Sequence, residues 1–241
     1  MSVTKRLNRL AGKLGYEIHR TTQQERWEPE FEAIAVQCEP FTMLSRERMY
    51  ANYQAAKYVA QAQIPGDIVE CGVWRGGSSM VFALTLLQHD PSRTIRLYDT
   101  FAGMPEPTEH DYTPTKSAAA LWAQHRKDGY NEWGYASLED VRRNLATTGY
   151  PNLRYIEGMV EDTIPSEAPQ RIAVLRLDTD LYESTRHELE HLYPLLSRGG
   201  VLMIDDYGEW AGARKAVDEH LRHDIMLTRI DYPGRVGIKS G

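Results

Sequence analysis

Residues 67–78 read Asp67-Ile68-Val69-Glu70-Cys71-Gly72-Val73-Trp74-Arg75-Gly76-Gly77-Ser78. A short apolar run gives way to a glycine-rich loop, and Ser78 begins a stretch to Gln88 that reads as a helix. The grammar is strand (67–73), tight turn, helix (78–88). The same phrase recurs downstream. Apolar strands are expected at 94–98, 152–156, 173–177 and 200–204, and three of them run into an aspartate: Asp99, Asp178 and Asp205. Helices are expected between them. Ser137 with Asp140 resembles a capping box opening 137–146, Ser184 caps a helix through Leu196, and 211–222 is a further helix. Segments 226–231 and 236–239, joined by Tyr232-Pro233-Gly234, carry a hairpin signal. Alternating strands and helices predict an α/β fold, a doubly wound, mostly parallel seven-stranded sheet with helices on both faces.

Working outward, the region 1–64 reads mostly helical and forms an N-terminal arm or cap to a main domain at 65–241. Ser45 looks like the N-cap of a helix over 46–63, with Met49, Tyr53, Ala56 and Val59 on its apolar face. The arm begins with Lys5, Arg6, Arg9, Lys13 and Arg20 beside Leu7, Leu10, Leu14 and Ile18. A basic amphipathic helix can rest on a membrane surface or a partner, although Gly12 and Gly15 weaken it, and a packing arm is the plainer reading. An arm awkward to bury within one domain suggests a homo-oligomer. Segment 102–136 breaks the strand–helix rhythm. It holds Pro105, Pro107 and Pro114, a helical stretch at 117–126, and Trp122, Tyr130, Trp133 and Tyr135. An insertion of that length with that aromatic content reads as a lid rather than as disorder. Most of its aromatics are expected to form its small core. His110, His125 and Arg126 are polar candidates for contacts to an acceptor, though surface residues by default.

Composition narrows the function. The chain has 241 residues, a net charge of -6, and 41% hydrophobic and 26% charged residues. That is an ordinary globular balance, and the acidic charge argues against nucleic acid. Cys38 and Cys71 have no metal-type spacing, which argues against zinc and a disulfide framework and for a cytoplasmic location. No apolar run is long enough for a membrane span, and no secretory signal opens the chain.

In a sheet of this kind ligands bind beyond the carboxyl ends of the strands. Glu70, Asp99, Asp178, Asp205 and Asp206 all fall at or just past such ends. The loop after the first strand lets a ligand approach the backbone, but its G-x-x-x-G-G spacing is not the dinucleotide fingerprint G-x-G-x-x-G. Asp99 suits the ribose hydroxyls of an adenosine. Leu177-Asp178-Thr179-Asp180 and Ile204-Asp205-Asp206-Tyr207 each follow a strand. If those strands are neighbours, their crowded carboxylates need a cation. Oxygen-only ligands suit magnesium, manganese or calcium rather than zinc or copper. The alternative is that Asp205 or Asp206 caps the next helix and Asp180 the one near Ser184.

At these motifs the chain resembles the macrocin O-methyltransferase (TylF/MycF-like) family. The matching segments are 42–46, 69–78, 98–105, 157–165, 177–185 and 199–208. The resemblance implies a class I methyltransferase fold using S-adenosyl-L-methionine and Mg2+ (or Mn2+) to methylate a sugar hydroxyl of a glycoside, a secondary metabolite or a cell-surface glycan. By position it implies a cofactor site drawn from Glu70, Cys71, Gly72, Gly76, Ser78, Asp99, Thr100, Phe101, Glu161, Asp162 and Asp178. Glu70 and Gly72 would lie along the methionine part, Asp99 on the ribose, and Glu161 and Asp162 near the adenine. Asp178, Asp205 and Asp206 would hold the metal, and Asp178, or else Asp180 or His187, would accept the proton. A catechol-type O-methyltransferase and a non-catalytic nucleotide-binding module are the alternatives. The arm and the lid depart from the family pattern, so the acceptor is open.

Overall fold

A computed structural model describes residues 27–221 and 224–240. The N-terminal basic arm proper therefore lies outside the described residues, as does Arg222. The described residues from Ala33 onward form one compact unit. Helix α1 is Pro29–Cys38.

Seven strands form one sheet: β1 (Asp67–Cys71), β2 (Ile95–Asp99), β3 (Leu153–Glu157), β4 (Ile172–Leu177), β5 (Leu196–Ile204), β6 (Thr228–Arg229) and β7 (Arg235–Ile238). Their spatial order is β3-β2-β1-β4-β5-β7-β6. β1 to β5 pair in parallel, and β7 is antiparallel to both β5 and β6. The expected doubly wound, mostly parallel sheet is the fold observed. The order reverses at β1, which pairs with β2 on one side and β4 on the other. The crevice of such a sheet opens at that switch point.

Period-2 alternation sends successive strand residues to opposite faces. Val69, Cys71, Leu175, Leu177, Leu202 and Ile204 pack with Leu189, Leu192, Val217 and Leu221 in one core cluster. Those helical residues belong to α7 (Tyr182–Leu192) and α8 (Ala211–Leu221). Glu70 points the other way, where the Ser79 hydroxyl donates to it from α3 (Gly77–His89). Helix α2 (Arg46–Gln61) lies against α3, and the Asn52 amide donates to Ser78 Oγ at 2.8 Å.

Local signals set several boundaries. Ser45 caps α2 by accepting from the Arg48 N–H at 3.1 Å, and Ser137 accepts from the Asp140 N–H at 3.2 Å to open α5 (Leu138–Ala146). Two expectations are corrected. Strand β1 stops at Cys71 rather than at 73, because Gly72 takes φ +81° and a Cβ there would sit 2.0 Å from the Asp178 carbonyl oxygen. The loop after β1 thus runs against the loop after β4, which only glycine permits. The second correction is α7, which begins at Tyr182, so Ser184 lies inside its first turn. Its capping acceptor comes from the lid, where Asp111 Oδ1 takes the Tyr182 N–H at 2.7 Å. The same helix ends at Leu192, because Pro194 in the following turn has no N–H for a helical bond; Leu196 already belongs to β5.

The segment 102–136, expected as a lid, contains α4 (Ala118–His125). Its footing is a second small core in which Ala118, with Met104, Leu121 and Trp133, packs against Leu181, Trp210 and Ala213. The Trp133 and Trp210 rings lie 5.5 Å apart, and Trp122 Nε1 donates to the Met104 carbonyl at 3.0 Å. Tyr130 and Tyr135 pair with each other at the surface instead. Short helix α6 (Val160–Thr163) follows β3. Among the described residues no helix is long and apolar enough to cross a membrane.

Candidate active site

A cavity of about 410 Å³ opens above the carboxyl ends of the parallel strands. Each strand end contributes: Gly72, Val73 and Trp74 after β1; Asp99 and Thr100 from β2; Gly158 to Glu161 after β3; Asp178 to Asp180 after β4; Asp205 and Asp206 after β5. Trp74, Phe101 and Asp180, from three of these loops, hold left-handed φ values of 47°, 50° and 64°. Non-glycine residues in that region carry strain that the surrounding fold must over-determine, and such strain gathers at functional sites.

Asp99 braces the first loop. Its Oδ2 accepts the N–H groups of Val73 and Trp74 at 2.7 and 3.1 Å, and its Oδ1 accepts that of Phe101 at 2.7 Å. Burial raises its pKa against those bonds.

The acidic cluster converges as β4–β5 adjacency requires. Asp178, Asp205 and Asp206 each bring a carboxylate oxygen within 4.8 Å of the other two. Burial, with crowding by neighbouring acids, holds Asp178 and Asp206 well above the usual carboxylate range. Burial likewise lifts Asp180 to about 7, its hydrogen bond with Asp206 opposing and Asp178 and Asp205 adding to the rise. Asp206 Oδ2 is buried and has no hydrogen-bond partner. A buried orphan carboxylate oxygen facing two more carboxylates is the donor chemistry a hard divalent cation needs, so the residues fit such an ion.

Two arginines that sequence reasoning passed over complete the cluster. Arg176, on β4, is 2% exposed. Its Nη1 donates to Glu70 Oε1 at 2.8 Å and to Asp178 Oδ2 at 2.7 Å, and its Nη2 donates to Asp205 Oδ1 at 2.6 Å. Glu70 and Arg176 are register partners on β1 and β4, hence on the same face. An arginine inside the apolar run Ile172-Ala173-Val174-Leu175-Arg176-Leu177 was a readable signal of buried pairing. Arg48, on α2, bonds the second oxygen of Asp205 and bridges to Asp231 Oδ2 at 2.9 Å. No sequence pattern marks a partner 183 positions away.

Of the residues expected at the site, Gly72, Ser78, Asp99, Thr100, Glu161, Asp178, Asp180, Asp205 and Asp206 line the cavity. Glu70, Cys71, Gly76, Phe101, Asp162 and His187 do not. Glu70 is fully buried beneath the floor, on Arg176 and Ser79. Cys71 is sealed in the core, where burial raises its thiol pKa. His187 faces the Ile164 carbonyl, 3.0 Å away, and its ring lies 4.3 Å from that of His191, tilted by 56°. His110, His125 and Arg126 of the lid also fall outside the lining.

The sequence model of the family described as Macrocin-O-methyltransferase (TylF) matches residues 12–235. The chain belongs to the macrocin-O-methyltransferase (TylF) family. It is an S-adenosylmethionine-dependent O-methyltransferase. Among its relatives, the demethyldecarbamoylnovobiocin O-methyltransferase of Streptomyces niveus is 37% identical over 199 residues, 80% of this chain and 73% of that one. The 8-demethyl-8-(2,3-dimethoxy-alpha-L-rhamnosyl)-tetracenomycin-C 4'-O-methyltransferase of Streptomyces olivaceus is 38% identical over 202 residues, 83% of this chain and 70% of that one. The solved structure of the O-methyltransferase NovP superposes with a TM-score of 0.73 at 31% identity, over 96% of this chain and 95% of that one.

Proposed function

We propose that this O-methyltransferase methylates a sugar hydroxyl of a glycoside, with Asp178, Asp205 and Asp206 holding Mg2+ or Mn2+ beside the bound cofactor. The observation that carries the reading is the convergence of those three carboxylates, with the orphaned Asp206 Oδ2, in the cavity that Asp99 and the Gly72 loop also line. The names of the two relatives, one of them a rhamnosyl glycoside 4'-O-methyltransferase, support a sugar acceptor.

The chain divides the work between the two ends of the cavity. Gly72 and the loop to Ser78 receive the methionine part, Asp99 and Thr100 the ribose, and Glu161 the adenine. Glu70, Cys71, Gly76, Phe101 and Asp162 shape those elements from behind. A divalent ion in the carboxylate cluster supplies Lewis acidity to an acceptor hydroxyl. Asp180, which lines the cavity beside Asp178 and Asp206, is placed to accept the proton that the hydroxyl loses. Arg176 and Arg48 hold Asp178 and Asp205 in place. The lid, seated on Trp210, excludes water from the reacting atoms.

The test is a turnover screen of glycosides and catechols, read by mass shift, with and without EDTA. Glycoside methylation should vanish in EDTA and return with Mg2+ or Mn2+. Asp178→Ala should lower kcat/KM by at least about a hundred-fold. Full activity of Asp178→Ala in EDTA would remove the metal from the mechanism, and turnover of catechols alone would remove the sugar.

A further inference from the structure

Of the two arginines on the acidic cluster, Arg176 is buried, whereas Arg48 forms part of the cavity wall with Asp205, Asp206 and Pro233. The Arg48 guanidinium is shared between two carboxylates. Its Nη1 donates to Asp205 Oδ2, and its Nε donates to Asp231 Oδ2 at 2.9 Å. Asp231 lies in the turn between β6 and β7 and has other ties there. Asp231 Oδ1 accepts the Gly234 N–H at 2.9 Å, and Asp231 Oδ2 also takes the Ser45 hydroxyl at 2.7 Å. The turn sits directly on the loop after β5: the Gly208 N–H donates to the Pro233 carbonyl at 3.0 Å, and a Cβ on Gly208 would lie 2.1 Å from the Tyr232 carbonyl oxygen. Asp231 is therefore a fixed negative charge against Arg48, held whether or not Arg48 bonds it.

Asp205 is one of the three carboxylates that fit a divalent ion, and each of its oxygens carries a guanidinium, Arg176 on Oδ1 at 2.6 Å and Arg48 on Oδ2. Arg48 has two opposed effects on a cation there. A hydrogen bond orients a ligating carboxylate, and losing such a bond weakens metal binding by about 10- to 100-fold. A positive charge one carboxylate away repels the ion instead. Arg176 decides between them, because it orients Asp205 through the other oxygen with or without Arg48. What Arg48 adds is charge. A unit and a double positive charge about 6 Å apart repel by a factor of about ten even at the dielectric of water. The carboxylate of Asp231 offsets part of that repulsion.

Resting on the metal reading above, we propose that Arg48 is a built-in rival cation for Asp205, with Asp231 as its counterweight, and that the pair sets how tightly the carboxylate cluster takes a divalent ion. Both are positioning residues that act through Asp205. The setting is carried by the first turn of α2 and by the β6–β7 turn, outside the loops that supply the carboxylates.

The experiment titrates Mn2+ into the full chain and reads the free ion by electron paramagnetic resonance. S-adenosylmethionine is left out, because its sulfonium would add a positive charge of its own. Circular dichroism checks that each variant is folded. Arg48→Met and Arg48→Gln should each tighten the Kd for Mn2+ about ten-fold or more. Arg48→Lys keeps the charge and loses the planar fork, so its Kd should stay within about three-fold of the parent. Asp231→Asn should move the Kd the other way, weakening it about three-fold or more. A merely structural brace would instead weaken binding in every one of these variants. Asp178→Ala is the reference for the metal site itself. Where the parent binds Mn2+ and Asp178→Ala does not, three results overturn the proposal and leave the metal site standing: an unchanged or weaker Kd in the neutral Arg48 variants, a Kd for Arg48→Lys as tight as theirs, or a Kd not weakened in Asp231→Asn. No saturable binding by the parent, or equal binding by Asp178→Ala, overturns the metal reading and this proposal with it.

Discussion

Removing the Arg176 guanidinium tests the account of the buried acidic cluster most directly. The side chain is 2% exposed and joins Glu70, Asp178 and Asp205. In Arg176→Met the replacement is apolar and of similar length, so the loss is chiefly one of charge. Glu70, fully buried, keeps hydrogen bonds only to the hydroxyls of Ser79 and Ser78 among the described residues. Burial already raises its pKa, with Arg176 as the main opposing influence. Breaking a buried ion pair by deleting one partner costs about 3–5 kcal/mol, mostly the penalty of the stranded charge. For a chain of this length each kcal/mol lowers Tm by about 2–4 °C, so the variant should melt about 6–20 °C below the parent. The Glu70→Gln/Arg176→Met double variant should recover more than half of that loss, since the amide needs no counter-charge and can still bond Ser79. Thermal melts by circular dichroism at pH 7.5, arranged as a double-mutant cycle, measure both quantities. A fall of less than about 2 °C in the single variant, or no recovery in the double one, refutes the reasoning.

Two further outcomes follow from the same geometry. Asp180 has its folded pKa raised to about 7 from 3.8. The folded state therefore binds the extra proton between those values, and stability is lost as pH rises through about 7; in EDTA, Tm should increase on acidification from pH 8 to 6, and Mg2+ should flatten the trend, whereas a Tm that increases toward pH 8 in EDTA would contradict the sign. Asp111 is 3% exposed and ties the lid to α7 through its bond to the Tyr182 N–H. Asp111→Ala should remove about 1.5–3 kcal/mol of local stability, the worth of a hydrogen bond to a charged acceptor; hydrogen exchange should quicken across 102–136 and leave β1 and β4 unchanged, and equal protection in variant and parent would argue against the anchor.

Periodicity and punctuation carried the fold in the sequence itself. Apolar runs ending in Asp99, Asp178 and Asp205, each followed by turn residues and a helical stretch, leave little choice but a parallel sheet with its acids along one edge. The cation-binding candidates were legible for the same reason, because strand ends are where a side chain leaves the sheet for the crevice. What the chain alone could not show were partners distant in sequence. Ser184 has the chemistry of a helix cap, yet Asp111 of the lid supplies the acceptor from 71 positions away. Glu70 reads as a ligand acid at a strand end, yet alternation turns it onto the face opposite Cys71, where Arg176 of β4 takes it. Arg48, Asp205 and Asp231 meet only because α2, β5 and the turn before β7 are folded against one another. Local sequence determines φ, ψ and the face a residue occupies, and that suffices for strands, helices and their order. Which buried charge meets which depends on desolvation and on distances that only the packed chain sets.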